Sequence, residues 1–382
     1  MARTKKKIED LDPNMQARPA ASAAGAVSWR SYRDPAFSVF GLAWYEEDGR
    51  VLRRLPARAR PRVREAVWDL AQHTSGGRIR FKTDSTGLRL RITQPYVEMI
   101  NMCPIGHSGL DIYVGAPGEE VYWNSVRPDL SAQRAGKPYE SVLFEKAERK
   151  VREITLYLPV YNAVMDLSIG LDDGAVVRPP ASYAHDKPLV FYGTSITQSG
   201  CASRPGNGYV PILGQMLNTD VVNLGFSGNG LGEPEVAELV AEVEASVFVL
   251  DYEANAGLEN MAKNLGPFVE IIRKHHPETP ILIISKHFFS KIHYMPEGYD
   301  GAKRSAACCT KIAADLSAKH PGPVQFVDGW TLIGPDTPYA TVDGVHPNDH
   351  GFSLMAERLA PVLKRLLQRR AAPGAGQSSK KT

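Results

Sequence analysis

Cysteine is scarce in this chain: there are four among 382 residues, at positions 103, 201, 308 and 309. Their spacing matches no metal-ligand or redox motif, the histidines lack metalloprotease spacing, and no acidic cluster stands out. The sequence therefore predicts no metal site and no resident cofactor. The adjacent Cys308 and Cys309 fall in a helix-like stretch, which indicates a packing role.

Long apolar runs are also missing. No segment approaches the roughly 20 apolar residues that span a bilayer, and the lysines near the N-terminus are not followed by the apolar segment of an export signal. We therefore expect a cytoplasmic protein without a membrane partner. The net charge is only +3, and residues 1–7 and 368–382 contain eight Lys and Arg and no acid. The rest of the chain is net negative, so we expect no nucleic-acid partner.

The hydrophobic pattern divides the chain into two domains between disordered tails at 1–28 and 371–382. From 29 to 180, short runs alternate between apolar and polar residues, which predicts an all-β sandwich. From 181 to 370, continuous apolar runs alternate with helical stripes. This predicts a three-layer α/β domain with an open parallel sheet of flavodoxin-like type, whose strands lie at 188–192, 220–224, 246–251, 280–285 and 324–328. Such sheets bind ligands at the carboxyl ends of their strands.

Two short motifs suggest a serine nucleophile with its base. The sequence Gly-Thr-Ser-Ile-Thr-Gln at 193–198 directly follows the first of these strands, and Asp343-Gly-Val-His346 lies near the end of the domain. A hydroxyl on a tight turn, an imidazole and a carboxylate are what nucleophilic acyl chemistry requires. Each motif alone is weak, because a small turn before serine and a histidine before a helix are common in loops. The order in the chain is Ser195, Asp343, His346, and what strengthens the two motifs is their coincidence with two further blocks in one order along the chain.

Two further blocks lie where the next strands end: 223–230 after the second strand and 251–255 after the third. Together the four blocks, over residues 188–366, resemble the SGNH (GDSL-like) hydrolase superfamily. The resemblance implies an oxyanion hole built from the backbone amides of Ser195 and Gly228 and the side-chain amide of Asn255. Gly225 remains an alternative donor. The first block has Thr194 where the family name implies Asp, and the third lacks the usual Gly-x-Asn-Asp.

The N-terminal half resembles a narrower branch of that superfamily. Gly-Leu-Asp-Ile-Tyr at 109–113 is similar to a Gly-x-Asp-Leu-Tyr signature, and the segment 157–162 fits the same branch. The resemblance implies a β-domain like a carbohydrate-binding module that helps to wall the active-site cleft. Asp111 is a candidate substrate-binding residue, with backbone bonding and packing as the alternative role.

Other pocket candidates follow from their positions after strands. Arg204 follows the nucleophile and could bind a carboxylate or phosphate, or it could be a surface arginine. The loop after the fourth strand contributes His287, Phe288, His293 and Tyr294. These histidines could touch substrate or be ordinary loop residues.

The expected function is acyl transfer through an acyl-serine. An alcohol acceptor gives an acyltransferase, working from a thioester such as acyl-CoA to a hydroxyl of an extended small molecule such as a polyketide or glycoside. Water gives an ester hydrolase acting on acylated sugars. A third hypothesis is a non-catalytic binding protein, because fold alone implies no function. The sequence leaves the oligomeric state open.

Overall fold

The structure is a computed structural model that describes residues 11–12 and 27–371. Both predicted tails lie mostly outside these residues. Val27 and Ser28, assigned to the N-terminal tail, instead begin a strand. Within the described part of the chain, none of the helices combines the length and apolar character needed to cross a bilayer.

The N-terminal domain is built from ten strands. In chain order these are β1 (Val27–Ser31), β2 (Ser38–Phe40), β3 (Arg78–Thr83), β4 (Leu88–Thr93), β5 (Asp111–Val114), β6 (Val121–Ser125), β7 (Tyr139–Phe144), β8 (Arg152–Tyr157), β9 (Asp166–Asp172) and β10 (Val177–Arg178). One antiparallel sheet has the order β1-β9-β4-β7. The other has the order β10-β3-β8-β5-β6, with β2 also paired to β3. Short helices α1 (Glu65–Ala71), α2 (Pro104–Ser108) and α3 (Leu130–Arg134) lie in the connections, with a 3-10 turn at Ala57–Ala59.

The two sheets share one core. In β4, Leu88, Leu90 and Ile92 are fully buried, whereas the residues between them are more exposed. Ile79 and Phe81 of β3 belong to the same apolar cluster. Alternation with a period of two places one face of each strand inside. The predicted β-sandwich is confirmed.

The C-terminal domain alternates strands and helices as predicted. Its elements are β11 (Leu189–Gly193), α4 (Tyr209–Met216), β12 (Val221–Gly225), α5 (Pro234–Ala241), β13 (Val247–Asp251), α6 (Glu253–His275), β14 (Ile281–Ile284), α7 (Pro296–Lys319), β15 (Val324–Val327) and α8 (Asp349–Ala371). Three-residue 3-10 turns lie at Pro205–Asn207 and Gly329–Thr331, and a longer one lies at Ser290–Tyr294. Each strand lies within one residue of its predicted start.

Helices cover both faces of this sheet. In β11, Val190 and Tyr192 pack beneath α5, α6 and α7, whereas Leu189 and Phe191 pack beneath α4 and α8. Strands buried on both faces account for the continuous apolar runs in the sequence. The predicted helical stripes are buried against the sheet, except for the partly buried Val362: Met261, Leu265, Phe268 and Ile272 in α6, and Phe352, Met355, Leu359, Val362 and Leu366 in α8.

The strand order creates a crevice beside the nucleophile. All strands are parallel, in the order β12-β11-β13-β14-β15. The chain therefore moves to one side of β11 first and then to the other. Loops that leave neighbouring strands in opposite directions open a crevice at their carboxyl ends. Ser195 lies two residues beyond β11, at this crevice.

Candidate active site

Three polar side chains meet at the crevice. Ser195 Oγ lies 3.0 Å from His346 Nε2, and His346 Nδ1 lies 2.8 Å from Asp343 Oδ2. With the Nδ1 proton donated to the carboxylate, Nε2 is the nitrogen that can accept the serine proton. Ser195 is 7% exposed, whereas the side chains of His346 and Asp343 are 24% and 37% exposed. The arrangement can activate a serine nucleophile at an edge that solvent reaches.

Asp343 also fixes the loop that carries the imidazole. Its Oδ1 accepts hydrogen bonds from the backbone amides of His346 at 2.8 Å and Val345 at 3.1 Å. Partial burial alone would raise the pKa of Asp343, but the amide and imidazole of His346 and the amide of Val345 together lower it to about 2. The carboxylate is therefore ionised at neutral pH and can stabilise an imidazolium.

The nucleophile turn is held by its own hydroxyls. Thr194 N donates to Thr197 Oγ1 at 3.2 Å, and Ile196 N donates to Thr194 Oγ1 at 3.3 Å. Thr194, which stands where the family name implies Asp, therefore caps the turn. Gly193 has no room for a side chain, since an added Cβ would lie 2.0 Å from Thr197 Oγ1. These contacts stabilise the turn that places Ser195 just beyond the end of β11.

A buried carboxyl group lies beneath this turn. Asp251, at the end of β13, accepts hydrogen bonds from Tyr209 Oη at 2.7 Å and Thr197 Oγ1 at 3.2 Å. Burial raises the pKa of Asp251 to about 7, despite these two donors. Thr197 thus connects the buried acid to the turn above it.

The two candidate oxyanion glycines differ in their surroundings. The Gly225 amide already donates to Asn223 Oδ1 at 2.9 Å. A Cβ at Gly225 would lie 2.4 Å from the Gln198 amide, so this glycine serves close packing against the nucleophile turn. Gly228 lies on an exposed turn with a left-handed φ of 67°, where an added Cβ would meet nothing within 4 Å.

Asn255 is oriented by the same loop. Its Oδ1 accepts a hydrogen bond from the Gly230 amide at 3.2 Å. This contact directs the two N–H donors of the side chain away from Gly230. Gly257, with a φ of 69°, interrupts α6 just beyond, so residues 253–256 form a separate short turn. The arrangement leaves the Asn255 amide group as a donor at the carboxyl end of β13.

Arg204 and Asp111 bind each other rather than presenting free charges to a substrate. Arg204 Nη1 lies 2.9 Å from Asp111 Oδ2 and also donates to Tyr113 Oη, and its guanidinium stacks 3.8 Å from the Tyr122 ring centroid. Asp111 also accepts from the Gly206 amide at 2.8 Å. We therefore correct the expectation for both residues: the Asp and Tyr of the GxDLY-like motif hold the loop that follows the nucleophile.

The loop after β14 departs from expectation in part. Phe288 is buried, with its ring centroid 5.0 Å from that of Trp330, so it is a core residue and not a pocket residue. His287 is buried too, with Nε2 2.7 Å from the Val345 carbonyl oxygen, and burial lowers its pKa to about 4. It supports the His346 loop from below. His293 and Tyr294 are exposed.

Sequence reasoning missed two arginines that hold the loop containing Gly228. Arg54 is buried and donates to the carbonyl oxygens of Asn223 at 3.3 Å and of Gly225. Arg64 Nη1 donates to Asn229 Oδ1 at 2.7 Å. Both arginines come from the N-terminal part of the chain, more than 160 residues away. Nothing in the sequence near Arg54 or Arg64 signals this role.

Other N-terminal residues reach the nucleophile turn and the acid. Gln198 Nε2 donates to the Val160 carbonyl oxygen at 3.0 Å, while its Oε1 accepts from the Ser227 amide at 3.0 Å. Asn101 Nδ2 lies 3.5 Å from Asp343 Oδ2. Hydrogen bonds between residues of the two domains therefore stabilise the loops that surround the crevice.

This fold, with a hydroxyl, an imidazole and a carboxylate in one line of hydrogen bonds, is typical of enzymes of the hydrolase and acyltransferase type. Residues 186–364 match the GDSL-like lipase/acylhydrolase family, and residues 27–177 match the GxDLY family, described as the N-terminus of the esterase SGNH hydro-type. The C-terminal domain is therefore similar to the GDSL-like lipase/acylhydrolase family, and the N-terminal domain is similar to the GxDLY family. A sequence comparison with curated proteins gives no significant match.

Solved structures are similar to this chain over most of its length. A GDSL-like lipase structure from Bacteroides ovatus is 27% identical, with a TM-score of 0.81 over 90% of this chain and 98% of that one. The salicylyl-acyltransferase SsfX3 from a tetracycline biosynthetic pathway is 22% identical, with a TM-score of 0.71 over the same shares. A family two carbohydrate esterase from Clostridium thermocellum is 15% identical, with a TM-score of 0.57 over 77% and 93%. The last two show the fold alone.

Proposed function

We propose that the protein transfers acyl groups through a covalent acyl-Ser195 intermediate. The observation that carries this proposal is the continuous line of hydrogen bonds from Ser195 Oγ through both nitrogens of His346 to Asp343. A base that is oriented by a carboxylate and lies within hydrogen-bond reach of a hydroxyl is the arrangement that activates serine.

The reaction has two halves. His346 takes the Ser195 proton as Oγ attacks the acyl carbon, and the leaving group departs with that proton. An acceptor hydroxyl then gives its proton to His346 and attacks the acyl carbon. The bond from that carbon to Ser195 Oγ breaks, Oγ takes the proton back from His346, and the new ester leaves. In both halves the oxyanion lies against the amides of Ser195 and Gly228 and the side chain of Asn255, and one such donor contributes about 2.7–4 kcal/mol.

We propose an acyl thioester as the donor and a hydroxyl of an extended, partly apolar small molecule as the acceptor. Two exposed apolar side chains beside the site support an apolar ligand: Ile100 precedes Asn101, which contacts Asp343, and Val342 directly precedes Asp343. SsfX3, which shares the fold, is named as a salicylyl-acyltransferase. A thioester leaving group needs no metal or organic cofactor for its departure.

A second candidate is hydrolysis of acylated sugars. The exposed edges of His346 and Asp343 let water approach the base, and two carbohydrate esterases share the two-domain architecture. In this case water replaces the alcohol in the second half, while the first half stays the same.

Intact-mass spectrometry separates these possibilities. Wild type and Ser195→Ala would be mixed with a panel of acyl thioesters, with and without a polyhydroxylated aromatic acceptor. We expect an acyl adduct on wild type alone, discharged faster by the acceptor than by water. Equal discharge would favour the esterase, and so would an adduct that forms only from acetylated sugars. An adduct of equal yield on Ser195→Ala would refute the proposed nucleophile.

A further inference from the structure

A buried thiol lies next to the proposed base. The Cys201 Sγ, a carboxylate oxygen of Asp343 and a ring nitrogen of His346 all lie within 4.8 Å of one another. Cys201 precedes the other two residues by more than 140 positions, so the spacing in the sequence does not reveal this cluster. The mechanism proposed above uses Asp343 and His346 but gives the thiol no role.

The protein holds this thiol firmly in place. Cys201 is 7% exposed and belongs to a small apolar cluster with Met102, Val160 and Tyr161 of the N-terminal domain. Its backbone has a left-handed φ of 74°, and the preceding amide, that of Gly200, donates to the Ser195 carbonyl oxygen at 2.7 Å. The thiol is therefore fixed relative to the nucleophile turn.

We propose that Cys201, Asp343 and His346 form an inhibitory binding site for a zinc-like divalent transition metal ion. Thiolate, imidazole and carboxylate are the ligand types of protein zinc, and three of them leave a fourth position open. A thiolate does not suit Mg²⁺ or Ca²⁺, which prefer oxygen ligands. Cobalt(II) belongs to the same first-row series as zinc and is a useful spectroscopic probe.

The geometry is close to what such an ion needs. Ligand atoms around a tetrahedral zinc ion lie about 3.5 Å apart, given bond lengths of about 2.0–2.3 Å. Starting from separations of at most 4.8 Å, the side chains must close by about 1 Å. The exposed edges of Asp343 and His346 leave a route from solvent to the site.

Metal binding at this site would remove the base. The thiol gives up its proton as the metal–sulfur bond forms. An ion on Nδ1 displaces the proton that this atom donates to Asp343, and an ion on Nε2 takes the lone pair that accepts the Ser195 proton. Inhibition therefore rests on the proposed function, whereas metal binding does not.

The test uses cobalt binding to the full chain after treatment with a chelator. We expect one Co²⁺ per chain with a thiolate-to-cobalt charge-transfer band, which Zn²⁺ displaces. Cys201→Ser should lose that band and bind at least about tenfold more weakly, since even outer-shell changes at metal sites cost 10–100-fold. Cys308→Ser, on α7, is the matched control and should keep the band.

A second variant covers the case in which Cys201→Ser folds poorly. Asp343→Asn keeps the side-chain shape but removes a charged ligand, so its cobalt affinity should also fall, and its thermal unfolding reports whether it is folded. The site is refuted if wild type shows no thiolate band under excess Co²⁺, or if Cys201→Ser shows the same band. Cobalt binding by a protein without acyl-transfer activity would instead contradict only the proposed function.

Discussion

The Arg204 guanidinium crosses the domain interface and lies 2.9 Å from the fully buried Asp111 carboxylate. Arg204 follows the nucleophile turn, whereas Asp111 is the acid of the GxDLY-like motif in β5. The motif therefore contributes to the site indirectly, because it holds the loop beside Ser195 against the β-sandwich.

Removing this arginine should destabilise the protein strongly. Arg204→Ala leaves the Asp111 carboxylate buried without its cation, and breaking a buried pair costs about 3–5 kcal/mol. Urea unfolding measures the free energy of unfolding. Arg149→Ala is the matched control, because Arg149 forms ion pairs with Asp84 and Asp172 while half exposed, and an exposed pair contributes about 0–1 kcal/mol. Equal losses in the two variants would contradict the structural role of the Arg204 pair.

Loss of the Asn255 amide should slow catalysis without weakening substrate binding. Asn255→Ala removes one proposed oxyanion donor, so kcat should fall by about 10²–10³-fold while KM changes little. Steady-state kinetics on an activated ester measures both quantities. Asn124→Ala, which removes an amide in β6 of the N-terminal domain that donates to the Leu143 carbonyl oxygen, should keep normal kinetics. An unchanged kcat in Asn255→Ala would contradict the oxyanion role and would show that Asn255 only holds Gly230 in place.

Arg54→Lys should impair the loop that carries Gly228. Lysine has the same charge, but its single ammonium group cannot replace the guanidinium, which donates to four carbonyl oxygens. These oxygens belong to Asn223, Gly225, Leu70 in α1 and His73 just after α1. Because small misplacements of catalytic groups can cost about 10²-fold, we expect a reduction of kcat of about tenfold or more, larger than that of KM. Arg62→Ala, which loses an exposed contact with Glu238, is the control. A normal kcat in a folded Arg54→Lys protein would exclude a positioning role.

The buried acid under the nucleophile turn should make stability depend on pH. Asp251 has a pKa of about 7 in the folded protein and about 3.9 when unfolded. Between these values only the unfolded chain has lost the proton, so wild type should lose stability as pH rises from about 4 to 7. Asp251→Asn, which mimics the protonated form, should lose less over the same range. Parallel pH profiles of the unfolding free energy for the two proteins would show that Asp251 is ionised in the fold.

The sequence predicted what depends on local patterning. Continuous apolar runs gave the positions of all five parallel strands because both faces of that sheet are buried, and the blocks at strand ends brought Ser195 and His346 to one crevice. The sequence did not predict the contacts that form between the two domains. The Arg204–Asp111 pair joins residues 93 positions apart. The hydrogen bond from Arg54 to the Gly225 carbonyl oxygen joins residues 171 positions apart. Phe288 was misassigned because its loop folds back onto Trp330, which no periodicity signals.

The order in which the ribosome makes these parts has a consequence for when activity can appear. Val160, Arg54 and Asp111, which contact Gln198, Gly225 and Arg204, are all synthesised before Ser195. His346 comes 151 residues after Ser195. In the proposed mechanism the base is therefore synthesised long after the nucleophile, just before the last helix, so a partly synthesised chain cannot yet catalyse acyl transfer.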